Sequence, residues 1–188
     1  AFDYRYVSSG KIVVRRAKDG EQLTTLDEQE HTLTSKMLVI ADNDKAIGLA
    51  GIMGGLNSEI LDSTTTVVFE SANFDGTCIR QTANALGMRT DASTKYEKGL
   101  NPLDTYPAIQ RACELVEQLG AGDVMDGVID VLNYVPDPVT VAFEPEKINR
   151  HLGTNLSRED MVMYLQRLGF TVDGDQLHVP SWRTDIQT

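Results

Sequence analysis

The chain has 188 residues, 41% hydrophobic and 24% charged, with 28 acidic against 17 basic side chains and a net charge of −11. That apolar fraction excludes a disordered chain and suffices for at least one sizeable core, while no apolar run approaches the roughly 20 residues of a membrane-spanning helix. The acidity disfavours a protein that holds nucleic acid simply by being basic.

The chain opens on Ala1-Phe2-Asp3-Tyr4, with no initiator Met and neither the basic start nor the apolar stretch of a signal peptide. Both ends read as cut, which predicts a piece of a longer protein. Residues 1–100 hold 14 acidic and 11 basic groups, so the first part is near neutral. Residues 101–188 hold 14 acidic and 6 basic groups, and most of the negative charge lies there.

In chain order, Lys11-Ile12-Val13-Val14-Arg15 and Met37-Leu38-Val39-Ile40-Ala41 read as short strands. Asp19-Gly20 and Asp42-Asn43-Asp44 supply turn chemistry beside them. Thr66-Val67-Val68-Phe69-Glu70 is a further strand, ending on Glu70. Asn73 or Asp75 can cap a helix through Leu86, with Ile79, Ala83 and Leu86 on one face and Gly87 as its stop. A second helix is predicted from about Pro102 to Leu119, with Ile109, Ala112, Cys113, Val116 and Leu119 facing the core, Gly120 beyond its end and Pro107 in its early turns. Strands followed by helices indicate an α+β domain, with mixed β-sheet layers covered by helices on one side.

Asn133-Tyr134-Val135-Pro136-Asp137-Pro138 has two prolines and no periodicity, and reads as a linker. It divides the chain into a domain over 1–135 and a small partial one over 140–188. In the second, Pro145 starts a helix through Leu152, stopped by Gly153. Ser157-Arg158-Glu159-Asp160 resembles a capping box with Asp in place of the usual Glu. An apolar stripe of Met161, Tyr164, Leu165 and Leu168 follows, ended by Gly169. Asp173-Gly174 joins two short strands, Phe170–Val172 and Gln176–Val179. Helix, turn, helix and hairpin is the outline of a winged helix. That outline serves as a nucleic-acid reader or as a scaffold, and its few basic groups favour the scaffold.

Three stretches could carry chemistry. Gly48-Leu49-Ala50-Gly51-Ile52-Met53-Gly54-Gly55 allows close backbone approach. It is not a P-loop, since no Lys-Ser/Thr follows, and no Rossmann context precedes it; alone it reads as a tight bend. Glu70 ends an apolar strand, where burial without a partner is costly. It needs either a cation, with Arg80 and Arg89 as candidates, or a ligand donor. Arg89-Thr90-Asp91-Ala92-Ser93 can be cap chemistry, with Asp91 or Ser93 capping a short helix ended by Gly99. Cys78 and Cys113 read as small buried side chains in helices. Without a Cys-x-x-Cys they support neither zinc nor redox chemistry, and a reducing cytoplasm fits them. His31, His151 and His178 are isolated from any nucleophile pattern. Hydrolysis here would work by positioning water and stabilising charge rather than by a covalent triad.

Taken in order, Ala1-Phe2-Asp3, Leu38-Val39-Ile40-Ala41-Asp42, the glycine loop, Glu70-Ser71-Ala72-Asn73-Phe74 and Thr90-Asp91-Ala92-Ser93 resemble the tRNA-editing domain of bacterial phenylalanyl-tRNA synthetase β subunits. Leu168-Gly169-Phe170 and Pro180-Ser181-Trp182-Arg183-Thr184-Asp185-Ile186 look like the domain that follows it in that family. The resemblance implies a β/β/α-like editing domain and hydrolysis of the ester joining a mischarged tyrosine to tRNA(Phe). A hydrophobic pocket rejects an isostere with one extra hydroxyl by only about 100-fold, whereas a site that hydrogen-bonds the hydroxyl discriminates far better.

On the family's pattern, Glu70 accepts from the tyrosine phenol, Gly54 approaches the aminoacyl group, Thr90 makes a polar contact, and Ala92 keeps the pocket small. Positioned water is the implied nucleophile, without metal, and no individual catalytic side chain is assigned. The parent enzyme implied is a cytoplasmic ligase using ATP and magnesium, with a synthetase α subunit as partner in an α2β2 assembly and no membrane association. The family also carries a histidine just before Ala-Phe-Asp and further pocket residues upstream. Their absence from this stretch implies weak or no editing by it in isolation. The competing readings are a scaffold or RNA-docking module with an inactive pocket, and a free-standing relative of the editing domain.

Overall fold

A computed structural model describes residues 1–43 and 45–186. Asp44 of the expected turn, and Gln187 and Thr188, lie outside the described residues. The fold is α+β and divides into two units, Ala1–Leu100 with Asp104–Gly127, and Asn101–Leu103 with the chain from Val128 onward.

The first unit contains β1 (Phe2–Asp3), β2 (Ile12–Arg16), β3 (Gln22–Thr24), β4 (Glu30–Thr32), β5 (Leu38–Asp42), β6 (Lys45–Leu49), β7 (Met53–Gly54) and β8 (Val67–Val68). One sheet has the order β2-β5-β6-β7, while β3–β4 and β1–β8 pair separately. These pairings are all antiparallel, where a mixed sheet was expected. For β5–β6 and β6–β7 the short connections dictate this, because a parallel neighbour needs a crossover of a dozen or more residues.

The expected strands at 11–15 and 37–41 form one residue further on, as β2 and β5. Of the expected strand at 66–70, Val67–Val68 forms β8, paired with β1 through Phe2↔Val68 and Asp3↔Val67. Phe69 and Glu70 therefore lie beyond the strand. Val39, Ile40 and Ala41 of β5 and Ala46, Ile47 and Leu49 of β6 are buried, so these two strands form the centre of the core. β2 is the outermost strand, and its Ile12, Val13 and Val14 are exposed.

Helix α1 (Gly76–Leu86) starts at Asp75, whose carboxylate accepts the Cys78 N–H at 2.6 Å. It ends at Gly87 in the left-handed conformation, with Met88 N–H returning to the Ala83 carbonyl at 2.9 Å. Ile79 and Ala83 pack into the core as expected. Helix α2 spans Asp91–Tyr96.

Helix α3 (Thr105–Gln118) buries no residue, against the expected core face. Ile109, Ala112, Cys113 and Val116 are half-buried, and Leu119 is 77% exposed beyond the helix end. A periodic stripe defines a helix face but not the surface that would cover it. Pro107 is the third residue of α3, within the first turn, where no intrahelical N–H bond is lost. Residues 121–139, including the expected linker, have no regular element and expose Met125, Ile129 and Val131.

In the second unit, β9 (Thr140–Ala142), β10 (Thr171–Asp173) and β11 (Gln176–His178) form an antiparallel sheet in the order β10-β11-β9. Helices α4 (Pro145–Leu152) and α5 (Arg158–Arg167) join it around Phe143, Met161, Phe170 and Leu177. Pro145 begins α4 and Gly153 closes it, as expected. The Ser157 hydroxyl accepts the Asp160 N–H at 3.1 Å. The Asp160 carboxylate accepts from that hydroxyl at 2.9 Å, so the cap holds only one arm of the box. In the expected stripe, Met161 and Leu165 face inward together with Val162, whereas Tyr164 and Leu168 are exposed. Arg158 lies 4.8 Å above the Phe143 ring and pairs with Asp175 at 3.1 Å. Among the described residues, no helix is long and apolar enough to cross a membrane.

Candidate functional site

The glycine-rich stretch folds as the β6–β7 hairpin, with Ile52 N–H bonded to the Leu49 carbonyl at 3.1 Å across the turn. Gly51 sits in this turn with φ +67°, and a Cβ there would lie 3.1 Å from Ile79 Cδ1, 3.1 Å from Phe74 Cδ2 and 3.3 Å from Tyr96 Cδ2. Conformation and space both require glycine. Gly54, three residues on, is backed by Leu26: a Cβ at Gly54 would meet Leu26 Cδ1 at 3.1 Å, and Leu26 N–H bonds the Gly54 carbonyl at 3.1 Å. The turn after β3 therefore seats on β7.

Thr90 caps α2, where the expectation was Asp91 or Ser93. Its hydroxyl accepts the Ser93 N–H at 3.1 Å, and the Ser93 hydroxyl accepts the Thr90 N–H at 2.9 Å, a complete capping box. The same Thr90 hydroxyl donates to the Ile52 carbonyl at 2.9 Å. It thus joins α2 to the turn of the glycine hairpin. Its proton and one lone pair are engaged, which leaves one lone pair for another donor. Ala92 is half-buried in the first turn of α2.

Glu70 follows β8 by two residues. Neither Arg80 nor Arg89 pairs with it; Arg89 lies instead 3.7 Å from Glu97. The residue keeps an exposed side, yet the protein gathered around its carboxyl pushes its pKa up. The chain around Glu70 is tethered on both flanks. Ser71 Oγ donates to the Thr105 carbonyl at 2.7 Å, and Tyr96 Oη donates to the Ala72 carbonyl at 3.1 Å. The Tyr96 ring also meets that of Phe74, with centroids 5.3 Å apart and planes tilted by 50°. Desolvation raises the Tyr96 phenol pKa, and the charge of Glu70 raises it further.

Among the described residues, the four sequence candidates make no hydrogen bond to one another. They are linked through intermediaries: Thr90 to the glycine hairpin through Ile52, and Glu70 to the same hairpin through Ala72, Phe74, Tyr96 and Gly51. Sequence reasoning passed over Tyr96 and Leu26. Each is a single side chain without motif spacing, and its role exists only in the folded contacts. His31 has its Nε2 buried without a partner, while His151 and His178 hydrogen-bond the Lys147 carbonyl and Thr140. Among the described residues, no three His, Cys, Asp or Glu side chains gather as a metal site.

The model of the B3/4 domain matches residues 1–121, and that of the tRNA synthetase B5 domain matches residues 141–188. The chain is 47% identical to the phenylalanine–tRNA ligase β subunit of Clostridium acetobutylicum, 45% to that of Clostridium tetani and 43% to that of Geobacillus kaustophilus. Each similarity covers 99% of this chain and 24% of the relative, so the chain spans about a quarter of the length of these relatives. Matched over 1–121 and again, by the following model, over 141–188, the chain belongs to the B3/4 domain family, with a tRNA synthetase B5 domain behind it in the order of phenylalanine–tRNA ligase β subunits.

Proposed function

We propose that residues 1–135 form the editing domain of a phenylalanine–tRNA ligase β subunit and remove tyrosine wrongly attached to tRNA(Phe), with 140–188 as part of the following winged-helix-like domain. The observation that carries this reading is Glu70. A carboxylate with a raised pKa and no ion pair among the described residues stands where the chain is tethered to the glycine hairpin. Such a group is an acceptor in want of a donor, and a tyrosine phenol is one. Phenylalanine would leave the acceptor unsatisfied, which is the source of discrimination.

In the reaction, water attacks the ester carbonyl carbon, the bond to the ribose oxygen breaks, and that oxygen takes up a proton. Free tyrosine and uncharged tRNA leave. Gly54 gives the aminoacyl group close approach, the free lone pair of Thr90 offers a polar contact, and Ala92 limits the pocket's depth. Whole-enzyme ligation with ATP and magnesium, an α subunit in an α2β2 assembly, and a cytoplasmic setting belong to the same proposal. No residue of this chain is assigned to magnesium or ATP.

The test is release of tyrosine from mischarged tRNA by the assembled enzyme. Glu70→Ala should slow release at least tenfold without changing phenylalanine charging. Ala92→Trp should block the same step by filling the pocket. Full release by both variants would overturn the reading.

A further inference from the structure

We propose that Tyr96 is a positioning residue for Glu70: it pins the Ala72 end of the Glu70–Phe74 segment to the Gly51 turn and so sets how well the site separates a tyrosyl from a phenylalanyl ester. The inference rests on the editing reading above and goes beyond it, because Tyr96 lies outside the substrate contacts named there.

The case starts from the freedom of Glu70. Its carboxylate has no ion pair or hydrogen bond among the described residues, so no side-chain partner fixes where it points. The backbone that carries it follows β8, which ends at Val68. Two tethers lie further along the chain. Ser71 is held by its bond to the Thr105 carbonyl. Ala72 is held by the Tyr96 hydroxyl at 3.1 Å, and Phe74 packs on the Tyr96 ring at 5.3 Å. One side chain thus makes two of these contacts, one polar and one apolar.

Tyr96 also reaches the other half of the site. Its Cδ2 lies 3.3 Å from the place where a Gly51 side chain would begin, so its ring closes over the hairpin turn. It is the last residue of α2, the helix that Thr90 caps and ties to Ile52. The glycine turn, the Glu70 segment and the helix carrying Ala92 therefore converge on this ring. The ring is a hydrophobic spacer. The hydroxyl fixes the peptide two residues beyond Glu70 and, with it, the height of the carboxylate above the turn. The influence of Glu70 on the Tyr96 phenol agrees with their proximity.

Tyr96→Phe separates these roles, because it keeps the ring against Gly51 and Phe74 and deletes only the bond to Ala72. In the assembled enzyme, deacylation kinetics are followed with tyrosyl- and phenylalanyl-tRNA(Phe), and thermal unfolding is followed in parallel. A lost positioning bond should raise KM for the tyrosyl ester about fivefold, leave kcat within about twofold, and leave the phenylalanyl ester unaffected. The preference for tyrosine then falls by the same factor. Free tyrosine titrated into the wild type and the variant should show the same weakening. Equal losses on both esters, or an unchanged KM with an intact fold, would overturn the role of Tyr96 while leaving the editing reading standing. Failure of the wild-type enzyme to release tyrosine would overturn the editing reading and this inference together.

Discussion

Thr90 donates its hydroxyl to the Ile52 carbonyl at 2.9 Å while accepting the Ser93 N–H at 3.1 Å, so one side chain both starts α2 and fastens it to the glycine hairpin. A substrate-contacting role for Thr90 therefore has to share the hydroxyl with a structural one. The start of α2, where Ala92 sits, is fixed relative to the Ile52 peptide by this residue.

Thr90→Ala should accordingly loosen α2 before it alters any substrate contact. Loss of an N-cap together with a tertiary hydrogen bond costs about 1–2 kcal/mol. Amide exchange at Ser93 and Thr94 should accelerate roughly tenfold, as hydrogen-exchange NMR or mass spectrometry would show. Thr90→Ser keeps both bonds and should leave exchange near wild type. Equal exchange in the alanine variant would contradict the cap assignment.

Gly51→Ala places a methyl group 3.1 Å from both Ile79 and Phe74 at a φ of +67°. Left-handed strain and crowding act together, and a destabilisation of about 2–3 kcal/mol is expected. A lower denaturant midpoint for the first unit checks this.

Acid should weaken the first unit through three carboxylates. Asp3, fully buried, is held well below the usual carboxylate range, first by hydrogen bonds from the Arg5 side chain and then by Thr64. Glu21 is drawn down to about 2, chiefly by Arg15, and Asp42 to about 2, chiefly by the Ser9 and Ser8 hydroxyls. A carboxylate whose pKa is depressed by folding contributes stability that is complete above its unfolded value and is lost as pH falls through the folded one. Their contribution should thus be level above about pH 5 and decline from about pH 4 toward pH 2. Asp3→Asn should flatten that decline; an unchanged slope in urea titrations across this range would contradict it.

Glu70 has the opposite sign. Folding raises its pKa, so its ionised form works against the folded state, and this penalty appears as pH rises through the folded value. Glu70→Gln should raise the melting temperature modestly at pH 7, by no more than about 1 kcal/mol of stability given its exposed side, and have no effect near pH 3. The same change should impair tyrosine release. A more stable but less selective protein is the expected trade where a site holds an unsatisfied charge.

Helix ends were the most legible part of the sequence because their signals are local. Asp75 with Gly87, Pro145 with Gly153, and Ser157 each acted within one turn of where they stand. The hairpin of β10 and β11 was legible from Asp173-Gly174, but not every short strand was. Thr140–Ala142 becomes β9 only because Gln176–His178 lies beside it. The stripe on α3 was visible, but whether another element would cover it was not. At the site, the motif order picked out Glu70, the glycine stretch and Thr90-Asp91-Ala92. Of the two alternatives left open for Glu70, the cation is not Arg80 or Arg89, and Arg89 lies 3.7 Å from Glu97. Tyr96 gained its meaning from a carbonyl and a glycine that only folding brings near.

The exposed outer strand β2 sets a condition on how the protein behaves when concentrated. Ile12, Val13 and Val14 offer a β-branched ribbon at the rim of the sheet, the kind of template on which a second molecule can add a strand. Lys11 on one side and Arg16 on the other bracket this ribbon with positive charge, while Arg15 pairs with Glu21 at 2.8 Å, so two copies approaching rim to rim would repel. Salt weakens that repulsion. High ionic strength is then a condition that favours stacking of these molecules.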